Sequence, residues 1–175
     1  MASALLTVCR ADQFNIPLPP VLLPWPADNS SYALQGGSPI TELNAARVYI
    51  GPCSYRMLHL HITADEMLML ITGKLESTMV APNNTVYTHT LLPGDNVVYP
   101  KGWPHLQYNP ECTQTMSVLA FNARSVGTIN IPYNLAAAGA SYLRSTFGRA
   151  VPEPQAMWVT DAACMRKCKA ARRTL

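Results

Sequence analysis

The sequence predicts an all-β domain, a jelly-roll barrel with an extended N-terminal arm and C-terminal α-helices, and three observations carry that prediction. Between about residues 44 and 131, short runs rich in β-branched and aromatic residues alternate with turn signals. Before them, residues 16–39 hold six prolines and the Gly36-Gly37 pair, which suit an extended arm with little regular structure of its own. After them, residues 133–148 and 155–170 read as helices, the first with Leu135, Tyr142, Leu143 and Phe147 as candidate buried positions. The organisation expected is an arm over 1–43, a barrel over 44–131 and a helical appendage over 132–175, together one structural domain. At 175 residues without an internal repeat, the chain can build one substantial core and is too short for a duplicated barrel.

The strands expected are 46–50, 54–61, 66–72, 75–80, 86–91, 96–99, 105–109, 115–122 and 127–130. Turns at Thr72-Gly73-Lys74, Pro82-Asn83-Asn84, Pro93-Gly94-Asp95 and Asn109-Pro110-Glu111 separate several of them. The arm carries Ile16, Leu18, Val21, Leu22, Leu23 and Trp25, too many apolar residues for a free linker, so it should pack on its own barrel or on a neighbour's. Along 66–72 the side chains alternate, with Glu66, Leu68 and Leu70 on one face and Met67, Met69 and Ile71 on the other. A sheet apolar on both sides must be covered twice. Charged residues make up only 13% of the chain against 49% hydrophobic, which is lean for a monomer. The second face is therefore the expected contact of a homo-oligomer, at least a dimer.

The net charge of +3 comes from the C-terminal tail, where Arg166, Lys167, Lys169, Arg172 and Arg173 leave a net charge of −2 over the rest. A basic helix end complements the helix dipole; with no aromatic interleaving it gives no reason to expect nucleic acid as a partner. No stretch approaches the ~20 apolar residues of a membrane span. Ala2–Val8 is apolar but lacks a basic flank and is short for a secretory signal, so a mature or trimmed chain is expected. Cys9, Cys53, Cys112, Cys164 and Cys168 contain no C-x-x-C pair; one or two disulfides plus an odd thiol fit an oxidising compartment. The sequons at Asn29 and Asn83 point the same way, toward a secreted protein.

The chemistry concentrates in two punctuated segments. The first runs His59-Leu60-His61-Ile62-Thr63-Ala64-Asp65-Glu66 and closes at Gly73; the second places His105 and Asn109 after Gly94, Pro100 and Gly102. On a strand His59 and His61 share a face roughly 6–7 Å apart, close enough for two imidazoles to converge on one cation. The segment 62–65 can turn the chain back to set Glu66 beside them, and a separate hairpin can deliver His105. Three imidazoles and one carboxylate suit one divalent transition metal, Mn, Fe, Ni, Cu or Zn, and leave open positions for a small-molecule substrate. By alternation Tyr55, Met57, Leu68, Leu70, Gln107 and Asn109 should line this site as substrate contacts. Cys53 lies too far along the strand to be a ligand, and His89 belongs to neither segment.

These two segments resemble the paired motifs of the cupins at every defining position except the glycine that opens the first, where Cys53 stands. The stretch Phe121-Asn122-Ala123-Arg124-Ser125-Val126-Gly127 resembles the segment that follows the barrel in germins. Ala11-Asp12-Gln13-Phe14-Asn15 with Leu22-Leu23-Pro24 is similar to the leader of spherulin-type germin-like proteins. The resemblance covers roughly residues 10–170. It implies a single-domain cupin barrel, manganese held by His59, His61, Glu66 and His105, assembly as a dimer or a trimer of dimers, and a metal-dependent oxidoreductase. Oxidase, oxygenase and dismutase-like reactions are the leading expectation; an isomerase, cyclase or decarboxylase using the metal as Lewis acid, and a wall-associated binding protein with a structural metal, are the alternatives. Arg56, Met57 and Leu58 replace the asparagine and proline pair that oxalate-oxidising germins carry before the first histidine. Regular alternation also sends Arg56 outward, so oxalate is expected to be a poor substrate unless a bulge turns that side chain in.

Overall fold

The structure, a computed structural model, describes residues 32–37, 42–148 and 158–171. Residues 1–31 of the arm, with Cys9 and the Asn29 sequon, lie outside them. In chain order the elements are β1 (Tyr32–Gly37), β2 (Asn44–Ile50), β3 (Ser54–His61), β4 (Glu66–Thr72), β5 (Leu75–Val80), β6 (Val86–Leu91), β7 (Asn96–Tyr99), β8 (His105–Asn109), β9 (Thr115–Phe121) and β10 (Thr128–Asn130). They continue with α1 (Ile131–Ala137), α2 (Ala140–Phe147), β11 (Trp158–Thr160) and α3 (Ala162–Ala171). The strands form two sheets, β1-β2-β9-β4-β7 and β10-β3-β8-β5-β6, with β11 added along β3. Inward residues of both sheets, among them Val48, Ile50, Leu68, Leu70, Leu75, Leu91 and Leu119, make one buried core.

The register explains why the alternation was readable. β9 lies between β2 and β4, and β8 lies between β3 and β5, all antiparallel. β4, β8 and β9 show buried residues at every second position, as in Glu66, Leu68 and Leu70 or Thr115, Ser117, Leu119 and Phe121. Gly73 closes the first motif at φ +84°, and a Cβ there would sit 2.7 Å from Thr115 Cγ2, so a side chain is excluded both by the backbone and by the neighbouring strand. Cys53, standing where the motif glycine is expected, adopts φ +51° and is bridged to Cys164. The second bridge joins Cys112 to Cys168.

Three expectations are corrected. The Gly36-Gly37 pair lies in a strand, β1, which pairs along β2 from Tyr32↔Tyr49 to Gly37↔Asn44. The helix expected over 133–148 is two helices, because Gly139 at φ +94° interrupts it; of its four expected core positions only Leu143 is buried, while Leu135, Tyr142 and Phe147 are exposed. Within the segment expected as a helix over 155–170, residues 155–157 lie outside the described ones, and the next three form β11, whose Trp158, Val159 and Thr160 pair with Arg56, Tyr55 and Ser54. α3 follows, its first turn capped by Asp161, whose Oδ1 accepts the N–H groups of Ala163 and Cys164. Among the described residues no helix is long and apolar enough to cross a membrane.

Candidate metal centre

The site is assembled from both sheets. β3 carries His59 and His61, its hydrogen-bonded neighbour β8 carries His105 directly opposite His59, and Glu66 opens β4 on the other sheet. The turn before β8 is pinned beneath the site: Gly102 N–H donates to the His61 carbonyl (2.8 Å) and Trp103 N–H to the Pro100 carbonyl (3.0 Å). All four side chains are buried, and their candidate ligand atoms lie within 4.8 Å of one another.

The hydrogen bonds fix which imidazole nitrogens face the centre. His59 Nδ1 donates to the Met57 carbonyl (2.8 Å) and His105 Nδ1 to the Trp103 carbonyl (2.9 Å), while His61 Nδ1 pairs with Thr128 Oγ1 (3.1 Å). The Nε2 atoms are thereby left inward. Glu66 Oε2 lies 2.7 Å from His61 Nε2 and 3.3 Å from His105 Nε2, and Glu66 Oε1 is buried without a hydrogen-bond partner. A carboxylate with one oxygen unpartnered, grouped with three imidazole nitrogens, suits one divalent transition metal as its donor set. Tyr99 stacks on the His105 ring (centroids 4.0 Å) and Phe121 meets His61 edge-on (5.2 Å), so the rings are held by packing as well as by hydrogen bonds.

Charge is distributed to suit that role. Burial, followed by the charges of His105 and Arg56, holds His59 well below its ordinary pKa of 6.5, so it stays a neutral ligand. Burial pushes Glu66 up, but hydrogen bonds from His105 and His61 and the charges of His105 and His59 outweigh it and hold the carboxyl at about 2.

Both shifts predict acid lability of the metal-stripped protein, and the sign is the same for each. A histidine kept neutral by the fold stabilises it above the unfolded value of 6.5 and loses that contribution as pH falls toward its depressed pKa. Glu66 adds a further loss between 4.5 and about 2. The melting temperature of stripped protein should therefore fall as pH drops below about 6.5, with a shallower fall in His59→Gln. Calorimetry showing a flat melting temperature from about pH 7.5 to 5 would contradict the assignment.

The lining beyond the ligands differs from the alternation expected. Opposite Arg56 is Gln107 and opposite His59 is His105, so β3 holds one more residue than β8 between these pairs, a β-bulge. The extra residue reverses the parity of the strand. Arg56 therefore joins His59 on the inner face, and Tyr55 turns outward to stack on Tyr108 (centroids 4.1 Å). A cavity of about 80 Å³ adjoins Glu66, His59 and His61 and is walled by Arg56, Gln107, Leu68, Leu119, Phe121, Val126, Thr128 and Trp158.

Leu68 and Gln107 thus lie where expected, whereas Tyr55, Met57, Leu70 and Asn109 do not line this cavity. Leu70 is fully buried in the core. Asn109 Nδ2 reaches the carbonyls of Ile50, Gly51 and Thr113 within 2.9 Å and so pins a barrel corner. His89 is exposed on β6. Arg56, Thr128, Phe121 and Trp158 are among the wall residues that alternation missed; the one hint was a lone arginine in a run whose neighbours, Met57 and Leu58, are apolar on both parities.

Burial lowers the pKa of Arg56 to about 10, partly opposed by the Glu66 charge, which leaves the guanidinium cationic at neutral pH. Its Nη1 is buried and unpartnered, and Trp158 covers the group at 5.4 Å.

Comparison with known proteins agrees with this architecture. The cupin family profile matches residues 39–150, and the chain belongs to the cupin family. Germin-like proteins are among its relatives: it is 34% identical over 85 residues to Germin-like protein subfamily 3 member 1 of Arabidopsis thaliana, covering 49% of this chain and 41% of that protein. It is 39% identical over 101 residues to Germin-like protein 9-1 of Oryza sativa subsp. japonica, covering 56% and 41%. The chain thus spans about two fifths of the length of these relatives. Oxalate decarboxylase of Bacillus subtilis shares the fold with a TM-score of 0.70 at 16% identity, over 79% of this chain and 39% of that one.

Proposed function

We propose that this germin-like cupin is a manganese-dependent oxidoreductase acting on a small carboxylate. The observation that carries the reading is Arg56, turned by the bulge into the cavity beside the His59–His61–Glu66–His105 group with an unpartnered Nη1. A buried guanidinium with free N–H donors is matched by a carboxylate, which it can grip through charge-assisted bonds. The cavity of about 80 Å³ admits a molecule of few heavy atoms, which turns the reading away from the bulkier substrate suggested by alternation and toward oxalate-like acids. A bound metal would supply electron transfer and charge neutralisation at the substrate.

Among the described residues of the cavity wall, Glu66 is the only carboxyl and belongs to the metal group; Gln107 and Thr128 are not proton donors of useful acidity. Conversion of oxalate to formate and carbon dioxide needs a proton delivered to carbon. Oxidation does not: the oxalate dianion, dioxygen and two protons from solvent give two carbon dioxide and hydrogen peroxide, the broken carbon–carbon bond supplying the two electrons. The wall therefore favours the oxidase. Manganese is chosen over iron, nickel, copper or zinc on the resemblance to germins and because the fold is shared with a protein described as having Mn(II) centres.

The experiment is oxalate turnover by manganese-loaded protein with peroxide and formate both measured. Peroxide formation in the wild type, reduced about 10- to 100-fold in Arg56→Ala with metal content unchanged, is expected. Formate as the main product, or full activity in Arg56→Ala, would contradict the reading.

The same proposal includes export to an oxidising compartment, which the two disulfides support, the division into arm, barrel and helical appendage, and a homo-oligomer. Met67, Ile71, Val98 and Val118 expose one apolar stripe on the outer face of the first sheet, and Leu135, Tyr142 and Phe147 are exposed on α1 and α2. Light scattering at micromolar concentration should give at least twice the chain mass, and Met67→Glu should lower it. A single monomeric mass would contradict the assembly.

A further inference from the structure

We propose that the segment Trp158–Ala171 is a disulfide-latched wall of the metal cavity, in which Trp158 is the positioning residue that keeps Arg56 facing inward. The inference deepens the carboxylate reading and rests on the same inward Arg56. Trp158 both walls the cavity and covers the Arg56 guanidinium at 5.4 Å, and its strand pairs residue for residue with the Ser54–Arg56 stretch of β3 that precedes the bulge. The bulge aims Arg56 inward, but on the β8 side only the three pairs from Ser54↔Asn109 to Arg56↔Gln107 hold that register before it shifts. The indole over the guanidinium adds cation–π attraction in a desolvated setting, which favours the inward side chain.

What keeps Trp158 there is covalent. A strand of three residues is too short to dock by itself, and α3 has only Cys168 buried, so apolar burial holds it weakly. Instead, Cys164 is bridged to Cys53, immediately before β3, and Cys168 to Cys112 in the loop after β8. Asp161 N–H adds a hydrogen bond to the Cys53 carbonyl (2.6 Å). Two bridges on one turn of helix clamp the segment against the end of β3. Reduction of each bridge by a dithiol takes two electrons and two protons from the reductant, which closes its own disulfide, and leaves four cysteine thiols and an unlatched segment. Arg56 is then free to turn outward.

Arginine labelling with phenylglyoxal, read by peptide mass spectrometry on the metal-loaded protein, tests this without reference to turnover. Exposed Arg124 serves as the internal reference. In the oxidised wild type Arg56 should be protected. In Trp158→Ala, with both bridges intact, and in wild type treated with dithiothreitol, Arg56 labelling should rise on the order of tenfold relative to Arg124; Trp158→Phe, which keeps an aromatic face, should restore protection. Arg56 as protected in Trp158→Ala or after reduction as in the oxidised wild type overturns the proposal. A protein latched in this way that neither binds nor oxidises oxalate would retire the carboxylate reading and leave the latch standing.

Discussion

Replacing Glu66 with alanine is expected to empty the metal centre. Glu66 is the single anionic member of the group, it comes from the sheet opposite the three histidines, and among the described residues no other carboxyl walls the cavity to replace it. Loss of a partner that only orients a ligand typically costs 10- to 100-fold in metal affinity, so loss of the ligand itself should exceed about 100-fold. Elemental analysis after dialysis against a chelator should find close to one metal per chain in the wild type and almost none in Glu66→Ala. Glu66→Gln keeps the shape, removes the charge and should fall between them. Full occupancy in Glu66→Ala would mean that the group is not the metal site.

Leu70→Ala should do the reverse, costing stability and sparing the metal. The side chain is fully buried in the core, two residues beyond cavity-lining Leu68 on the same strand face. Truncating a leucine in such a place leaves a void and costs about 2–5 kcal/mol, measurable as a lower urea midpoint with an unchanged slope. Metal stoichiometry of the folded variant should match the wild type. A loss of metal without a loss of stability would return Leu70 to the site, where alternation first put it.

The contrast between these two residues shows what the sequence made legible. Strand positions and the four candidate ligands could be read because antiparallel sheets repeat every two residues, and because the turn residues around Gly73, Gly94 and Gly102 punctuate them chemically. Glu66 was visible as a partner of His61, although it arrives across the barrel rather than on a neighbouring strand. The bulge between Arg56 and His59 was not visible, since inserting a residue leaves composition and propensity unchanged while reversing every side chain before it; Tyr55, Met57 and Arg56 were all misplaced by that one event. Trp158 was read into a helix because three strand residues are too few to show a period, and their partner, Ser54–Arg56, lies about a hundred residues away in sequence.

Electron–nuclear double resonance on the manganese-loaded protein, with oxalate carrying the magnetic carbon isotope, tests the central claim most directly. If the bulge-delivered Arg56 and the His59–His61–Glu66–His105 centre form one carboxylate site, the wild type should show a carbon coupling to the metal, and Arg56→Ala should lose it at the same oxalate concentration. An uncoupled carbon in the fully loaded wild type, with oxalate in excess, would contradict the account.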